Sequence, residues 1–454
     1  MRDVSTALPS TPAQSPGTHE KVTIYHWLVV IIASCGWLFD CMDQRLFILA
    51  RESALKELLA SDPAALAALK SYIGYATTAM ILGWATGGIF FGMMSDKWGR
   101  VKTMVVTLLV YSGFTGLCGV AHGWADFVVY RFLVGLGVGG MFGAATTLVA
   151  ESVPGRFRSL ALGSLQALSA TGNIIGSLLS LQIKPGTTGF WGDYSGWRVL
   201  FFVGILPALL TIPIIFVLRE PDSWKRAREA ARSGEAHKQV GSLKELFSDP
   251  RWRRNGIIGL LLGVSGMIGL WGIGFFSPEL ISTALKGAPQ ETVDTVRGWG
   301  TAFQDMGAFA GMIVFTFVAS YLSRRIAFLG AFALCLITTA FVFYNLRSAN
   351  DAYWMLPMMG FAQLAVFAGY SIYFPELFPT RLRGTGVGFC YNTVRYLAAP
   401  APTLMGQLSG LLKDHYGVTE PFRIAAVLMC SVYIVGMVAL IWAPETKGKP
   451  LPED

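Results

Sequence analysis

Apolar residues in this chain gather in blocks of about 20 residues, the length at which a helix crosses roughly 30 Å of hydrocarbon. Twelve blocks stand out, near residues 24–49, 72–94, 103–121, 125–148, 160–182, 197–218, 255–281, 298–320, 326–346, 352–374, 384–411 and 422–442. The pattern predicts an all-α membrane protein with twelve transmembrane helices. Only one intervening segment, residues 219–254, is both long and charged, and it separates six blocks from six. The expected plan is an N-terminal tail at 1–23, a six-helix bundle at 24–218, a linker at 219–254, a second six-helix bundle at 255–443 and a short tail at 444–454.

Composition agrees with the blocks: 53% of the 454 residues are apolar and only 14% charged, against about 25% charged in soluble domains. The first 21 residues are rich in Ser, Thr and Pro and lack the apolar core of a signal peptide; they read as a disordered tail. Of the 36 Lys and Arg residues, 23 lie on the side of the termini, ten of them in the linker. The positive-inside rule therefore places both termini in the cytoplasm, of a plasma or inner membrane. The same bias accounts for most of the net charge of +8 without a nucleic-acid partner. The six cysteines all fall inside blocks and show no metal-ligand spacing, so they read as small packing residues, and neither a metal nor a cofactor is expected.

The two halves are related. "ESVPGRFRSLALG" starts at Glu151 and "ELFPTRLRGTGVG" at Glu376, an offset of 225 that also aligns Pro154 with Pro379, Arg156 with Arg381, Arg158 with Arg383 and Gly163 with Gly388. The same offset lays Arg100 on Arg325 and Glu220 on Glu445. Two pseudo-symmetric six-helix bundles in parallel repeat place a substrate site near the midplane, where the halves meet and rock against each other.

The loop after the second block reads "GMMSDKWGRVK", in which Gly92 permits close helix approach, Gly99 a turn other residues resist, and Asp96 and Arg100 a charge pair near helix ends. With "YRFLVGLGVGG", "ESVPGRFRS", "REP" at 219–221 and "PETKG" at 444–448, the chain resembles the major facilitator superfamily along essentially its whole length. The resemblance implies a secondary transporter working by alternating access. It also implies that Gly92, Asp96, Gly99, Arg100, Glu151, Arg158, Glu376 and Arg383 form gating latches on the cytoplasmic side, and that Arg131 serves proton coupling and packing. In the second-half copy, "FVASYLSRRIA", Tyr321 stands where Asp96 would align. "GLGVGG" lies inside a block and reads as tight helix packing, not as a phosphate loop.

The first block carries three ionisable residues, Asp40, Asp43 and Arg45. At about 100° per residue the two carboxylates lie about 60° apart on one helix face, while Arg45 points some 140° to 160° away. Intramembrane acids normally face a bundle interior or a wet cavity. Two on one face predict a cavity, and their mutual repulsion suits them to taking up and releasing a proton; a structural ion pair with another helix is the rival reading. Arg45 either reaches the headgroups or touches substrate. The Asp-x-x-Asp pattern resembles that of aromatic acid:proton symporters and the niacin, sialate and lactate carriers, in which Gly often follows the first Asp; here it is Cys41.

Arg395, in "YNTVRYLAAPAP", presents a planar fork suited to a carboxylate. It binds a substrate anion or pairs with Asp305 or a first-helix acid. Asp305 is either a further proton site or that counter-charge. Gln166, Asn173, Trp271, Phe275, Tyr370, Tyr391 and Asn392 fall at depths suited to lining a cavity. The resulting expectation is a monomeric carrier that symports protons, its only coupling ion, with a small organic anion of carboxylate type. A sugar porter and an exporter of drugs or organic cations are the alternatives. An enzyme is not expected, because the histidines scatter toward tails, loops and block ends.

Overall fold

The computed structural model describes residues 21–189, 191–233 and 239–453; the tail expected at 1–23 falls almost wholly outside that set. The helices are α1 (Ile24–Leu58), α2 (Leu69–Trp98), α3 (Arg100–Cys118), α4 (Trp124–Ser152), α5 (Gly155–Ile183) and α6 (Gly196–Val217) in the first half. The second half holds α7 (Pro250–Ala284), α8 (Gln290–Tyr321), α9 (Arg324–Asn345), α10 (Ala349–Glu376), α11 (Arg383–Ala398, continued by Ala401–Asp414) and α12 (Pro421–Ala439). No strand occurs among the described residues. The linker carries two short helices, Asp222–Arg232 and Leu243–Ser248.

Ten helices among the described residues are long and apolar enough to cross a membrane by themselves; α5 and α11 are not among them. The reason is where they sit. α11 packs along α2 and α5 along α8, so both lie on the seam between halves, where Ser169, Gln166 and Asn392 face protein rather than lipid. Pro400 adds a break in α11 by removing a helix hydrogen-bond donor.

Within the first half, α2 and α4 approach so closely that a Cβ at Gly83 or Gly87 would run into the backbone at Phe132 or Leu136. Reciprocally, a Cβ at Gly135 or Gly139 would strike the backbone at Met80 or Trp84. Small residues replace hydrophobic drive as the basis of association in lipid, because they let backbones touch.

The internal repeat is visible bond by bond. Arg100 donates from Nε and Nη2 to Glu151 (3.0 and 2.9 Å) and from Nη1 to the Ser95 carbonyl, and its backbone N–H donates to Glu220. Arg324 repeats the set with Glu376 (3.1 and 2.8 Å), the Ala319 carbonyl and Glu445. The counterpart of Arg100 is therefore Arg324, not Arg325, and that of Asp96 is Ser320, not Tyr321. Arg324 stands 52 residues before Glu376 where Arg100 stands 51 before Glu151, so one extra residue lies between the arginine and the glutamate in the second half and the offset at the arginines is 224 while the glutamates keep 225.

Replacing Gly87 with Leu should cost about 1–3 kcal/mol through overpacking of α2 on α4 and lower the thermal midpoint of the detergent-purified protein. Gly113→Leu, where a Cβ meets open space, should leave it unchanged; equal midpoints for the two variants would refute the tight α2–α4 contact.

Candidate functional site

The halves close along an antiparallel ladder of α2 on α11, beginning at the face that carries the linker and the described end of the chain. Asp96 accepts hydrogen bonds from the backbone N–H groups of Gly384 (2.9 Å) and Thr385 (2.8 Å) and from the Thr385 hydroxyl (2.7 Å). A carboxylate from one half thus caps the positive N-terminal end of a helix in the other. One turn deeper, a Cβ at Gly92 would meet the Gly384 carbonyl at 2.6 Å; a further turn in, Gly88 lies against Gly388 and the Asn392 side chain. Yet another turn brings Arg395 over the Trp84 ring at 3.5 Å. Four-residue steps on both helices keep each pair on the facing stripe.

Other bonds reinforce this closed face. Arg383 pairs with Glu151, Arg100 donates to the Thr380 carbonyl (2.8 Å), and Arg324 donates to the Ser159 hydroxyl (2.5 Å). The linker joins both halves: the Trp224 indole donates to the Asp96 carbonyl and the Gly241 N–H to the Arg381 carbonyl. Glu220 caps α3 with three backbone donors; burial raises its carboxyl above the ordinary value, and those donors oppose the rise. Arg158 takes the place of Arg383 in the repeat, donating to the Ala150 carbonyl as Arg383 does to that of Pro375.

Beyond Trp84 and Arg395 the ladder parts. A cavity of about 400 Å³ lies there, lined by Arg51, Thr77 and Thr78 from the first half and by Met267, Trp271, Arg395 and Ala398 from the second, among other residues. Trp271 reaches it from a wider π-helical turn at Ile268–Ile273, a distortion found often at functional sites. Arg395 is 5% exposed, lies between the Trp84 and Tyr391 rings and donates to Asn392 (3.4 Å). Among the described residues it forms no salt bridge with an acid. A larger cavity of about 970 Å³ lies under the end of the chain, against Arg254, Glu376 and Glu445, far along α11 from Arg395.

The acidic pair is placed differently from expectation. Asp40 and Asp43 are fully buried inside the first half and do not line the cavity between the halves. Asp43 accepts from Thr115 (2.7 Å) and faces Arg131 at 3.6 Å. Arg131 also donates to Cys118 and Thr115 and lies over the Phe47 and Phe201 rings. The cation on α4 draws the carboxylate inward, so the pair joins three helices instead of facing a crevice. Asp40 has no cation beside it: it is fully buried, and the donor that faces it is the hydroxyl of Tyr111 on α3.

Arg45, on the other side of α1, forms a salt bridge to Asp305 at 3.0 Å across the halves. Asp305 is thus the counter-charge of Arg45 rather than that of Arg395. Tyr370 is not a cavity residue; its hydroxyl donates to the Leu262 carbonyl (2.7 Å) and its ring stacks on Phe374 within the second half. Gln166 is buried on α5 with its carbonyl oxygen unpaired, and Asn173 lies half-buried about two turns further along the same face; neither lines the 400 Å³ cavity. Tyr391 stacks on Phe142 at 3.9 Å. The Phe275 side chain lies outside the described residues.

The sequence expectation missed two residues. Arg51 fell beyond a first block ended at residue 49, but α1 runs to Leu58; "RESALKEL" contains no helix breaker, and that was the available signal. Trp84, between small residues in "GWATGG", gives no sign in sequence that it faces an arginine 311 residues away.

Comparison with known proteins agrees with this architecture. The profile of the Major Facilitator Superfamily matches residues 33–403. The cis,cis-muconate transport protein of Acinetobacter baylyi is 33% identical over 72% of this chain and 76% of its own. The sialic acid transporter NanX of Escherichia coli is 29% identical over 77% and 80%. Among solved structures, the proton:xylose symporter XylE superposes with a TM-score of 0.75 over 94% of this chain and 98% of its own, at 18% identity; that likeness concerns the fold alone.

Asp96→Ala removes the hydrogen bonds that hold α11 to α2 at the closed face. Spin labels at Lys97 and Arg325, introduced after replacing the six native cysteines, should then report a larger fraction of long distances by pulsed electron resonance. An unchanged distance distribution would show that this cap does not hold the face shut.

Proposed function

This chain belongs to the major facilitator superfamily, and from that membership we propose that it is a proton-coupled importer of small carboxylates, with Arg395 as the anion site. The observation that carries the reading is a guanidinium buried between aromatic faces, beside a cavity shared by both halves, with no acidic partner among the described residues. A buried cation without a counter-ion is costly. An arriving carboxylate relieves that cost, and Arg offers two parallel donors to it. The Trp271 ring in the cavity wall suits planar, unsaturated or aromatic acids. The names of relatives point the same way: muconate, benzoate and gentisate transporters are among them.

Asp40 is the proposed proton carrier. A fully buried carboxylate with no cation beside it, faced by the Tyr111 hydroxyl, is unfavourable as an anion and suited to carrying a proton. Asp43 differs in having Arg131 at 3.6 Å and the Thr115 hydroxyl at 2.7 Å. Opening of the linker face, taken here as cytoplasmic from the basic-residue bias, would let water reach Asp40 and release its proton. The latches at Asp96, Glu151 and Arg383 set which face is open. The chain works as a monomer in this reading, since the site is built from its own two halves.

In proteoliposomes an inward proton gradient should drive uphill carboxylate uptake. Asp40→Asn should abolish accumulation and retain carboxylate exchange; uphill uptake at wild-type rates in that variant would remove Asp40 from the coupling role. Arg395→Lys should weaken carboxylate binding about tenfold or more through loss of the bidentate contact, read by titration of purified protein. Affinity equal to the wild type, or stabilisation by pentoses or organic cations but not carboxylates, would overturn the anion assignment.

A further inference from the structure

The cavity beyond Arg395 contains a second guanidinium. Arg51 lines it from α1, in the first half, and Arg395 from α11, in the second; the cavity-lining residues include no Asp or Glu. Arg51 is held by one hydrogen bond, from Nη1 to the Thr77 hydroxyl at 2.9 Å, and among the described residues it forms no salt bridge. That single bond leaves most of its five donors uncommitted. From this arrangement we infer that the site selects dicarboxylates, with Arg51 binding the second carboxylate.

The inference rests on the carboxylate reading of Arg395 and adds what that residue alone does not give. One guanidinium accepts any carboxylate; two in the lining of one small cavity, contributed by different halves, favour a ligand with an anion at each end. A monocarboxylate would leave Arg51 facing its methyl or ring terminus, and discrimination of this kind is strongest where a site's polar groups go unpaired with the wrong ligand.

The two cations also sit on different halves. A dianion bridging them contacts both bundles at once and draws α1 toward α11 across the cavity. A ligand shifts a conformational equilibrium only by its difference in affinity between states, and the bridged contact exists only when the walls approach. A monoanion on Arg395 makes no such distinction. The small side chains of Gly74, Ala398 and Ala399 in the wall leave room for that approach.

A matched pair of acids tests this directly: 2,4-hexadienedioate and 2,4-hexadienoate, which differ only in a terminal carboxylate replaced by methyl. Titrated into the purified wild-type protein at neutral pH, the diacid should bind about tenfold more tightly or better, the worth of one charge-assisted contact. Arg51→Gln should reduce that preference to within about twofold by losing diacid affinity alone, and Arg51→Lys should keep part of it. Equal binding of the two acids by the wild type overturns the inference without reference to any variant. So does a preference that survives in Arg51→Gln, while Arg395→Lys still weakens both acids and leaves the anion site in place. Failure of the wild type to bind either acid removes the carboxylate reading and this inference with it.

Discussion

The backbone contact of α2 with α11 is the constraint on which the rest of this structure depends. Glycines at 88, 92, 384 and 388 bring the two halves together, and once they touch, Asp96 is within reach of the α11 N-terminus and Trp84 within reach of Arg395. In lipid there is no hydrophobic gain from merely bringing helices together, so such contacts rely on close packing and on polar bonds that water does not compete for. The ladder supplies both at its closed end, and at its far end it delivers a buried cation to the edge of a cavity. Position of the cap, depth of the cation and start of the cavity are consequences of a single helix crossing.

Much of this was legible in the sequence because the bilayer imposes it. Block length gave the helices, and the displaced repeat gave the paired halves. The departures share one cause: sequence reports how a helix is composed, not which helix stands opposite. Asp40 and Asp43 do share a face, and Arg45 does point away, as helix geometry requires; but which face meets Arg131 and which meets Asp305 depends on α4 and α8, far along the chain. Tyr370 has the depth of a cavity residue and the environment of a packing one. The register slip at Arg324 went unseen because Arg325 beside it is also an arginine, so the one extra residue before Glu376 left no mismatch at that position.

α1 is the element common to the proposed events. It carries Asp40 and Asp43 into the first half, Arg45 across to Asp305, and Arg51 to the cavity wall. Asp40 and Arg51 are separated by about 16 Å along the helix axis, so in the proposed cycle the proton and the carboxylate held by Arg51 do not meet. Coupling would then pass through the position of α1 itself: a helix too rigid to bend between these points transmits a shift at one end to the other.

The two seams between halves are not equivalent, and the difference has a direction. On α2 an aspartate caps α11; at the matching place on α8, Ser320 turns back to the Thr316 carbonyl at 2.6 Å and leaves the start of α5 without an anion. The α5–α8 seam instead carries its ion pair deeper, as Arg45 with Asp305 on the α1 side. Both members of that pair remain about a quarter to a third exposed, less enclosed than the fully buried Asp96. The fully buried carboxylate cap therefore lies on the α2–α11 side at the closed face, while on the α5–α8 side Arg324 donates to the buried Ser159 hydroxyl. In the proposed cycle both attachments have to be released before the linker face opens.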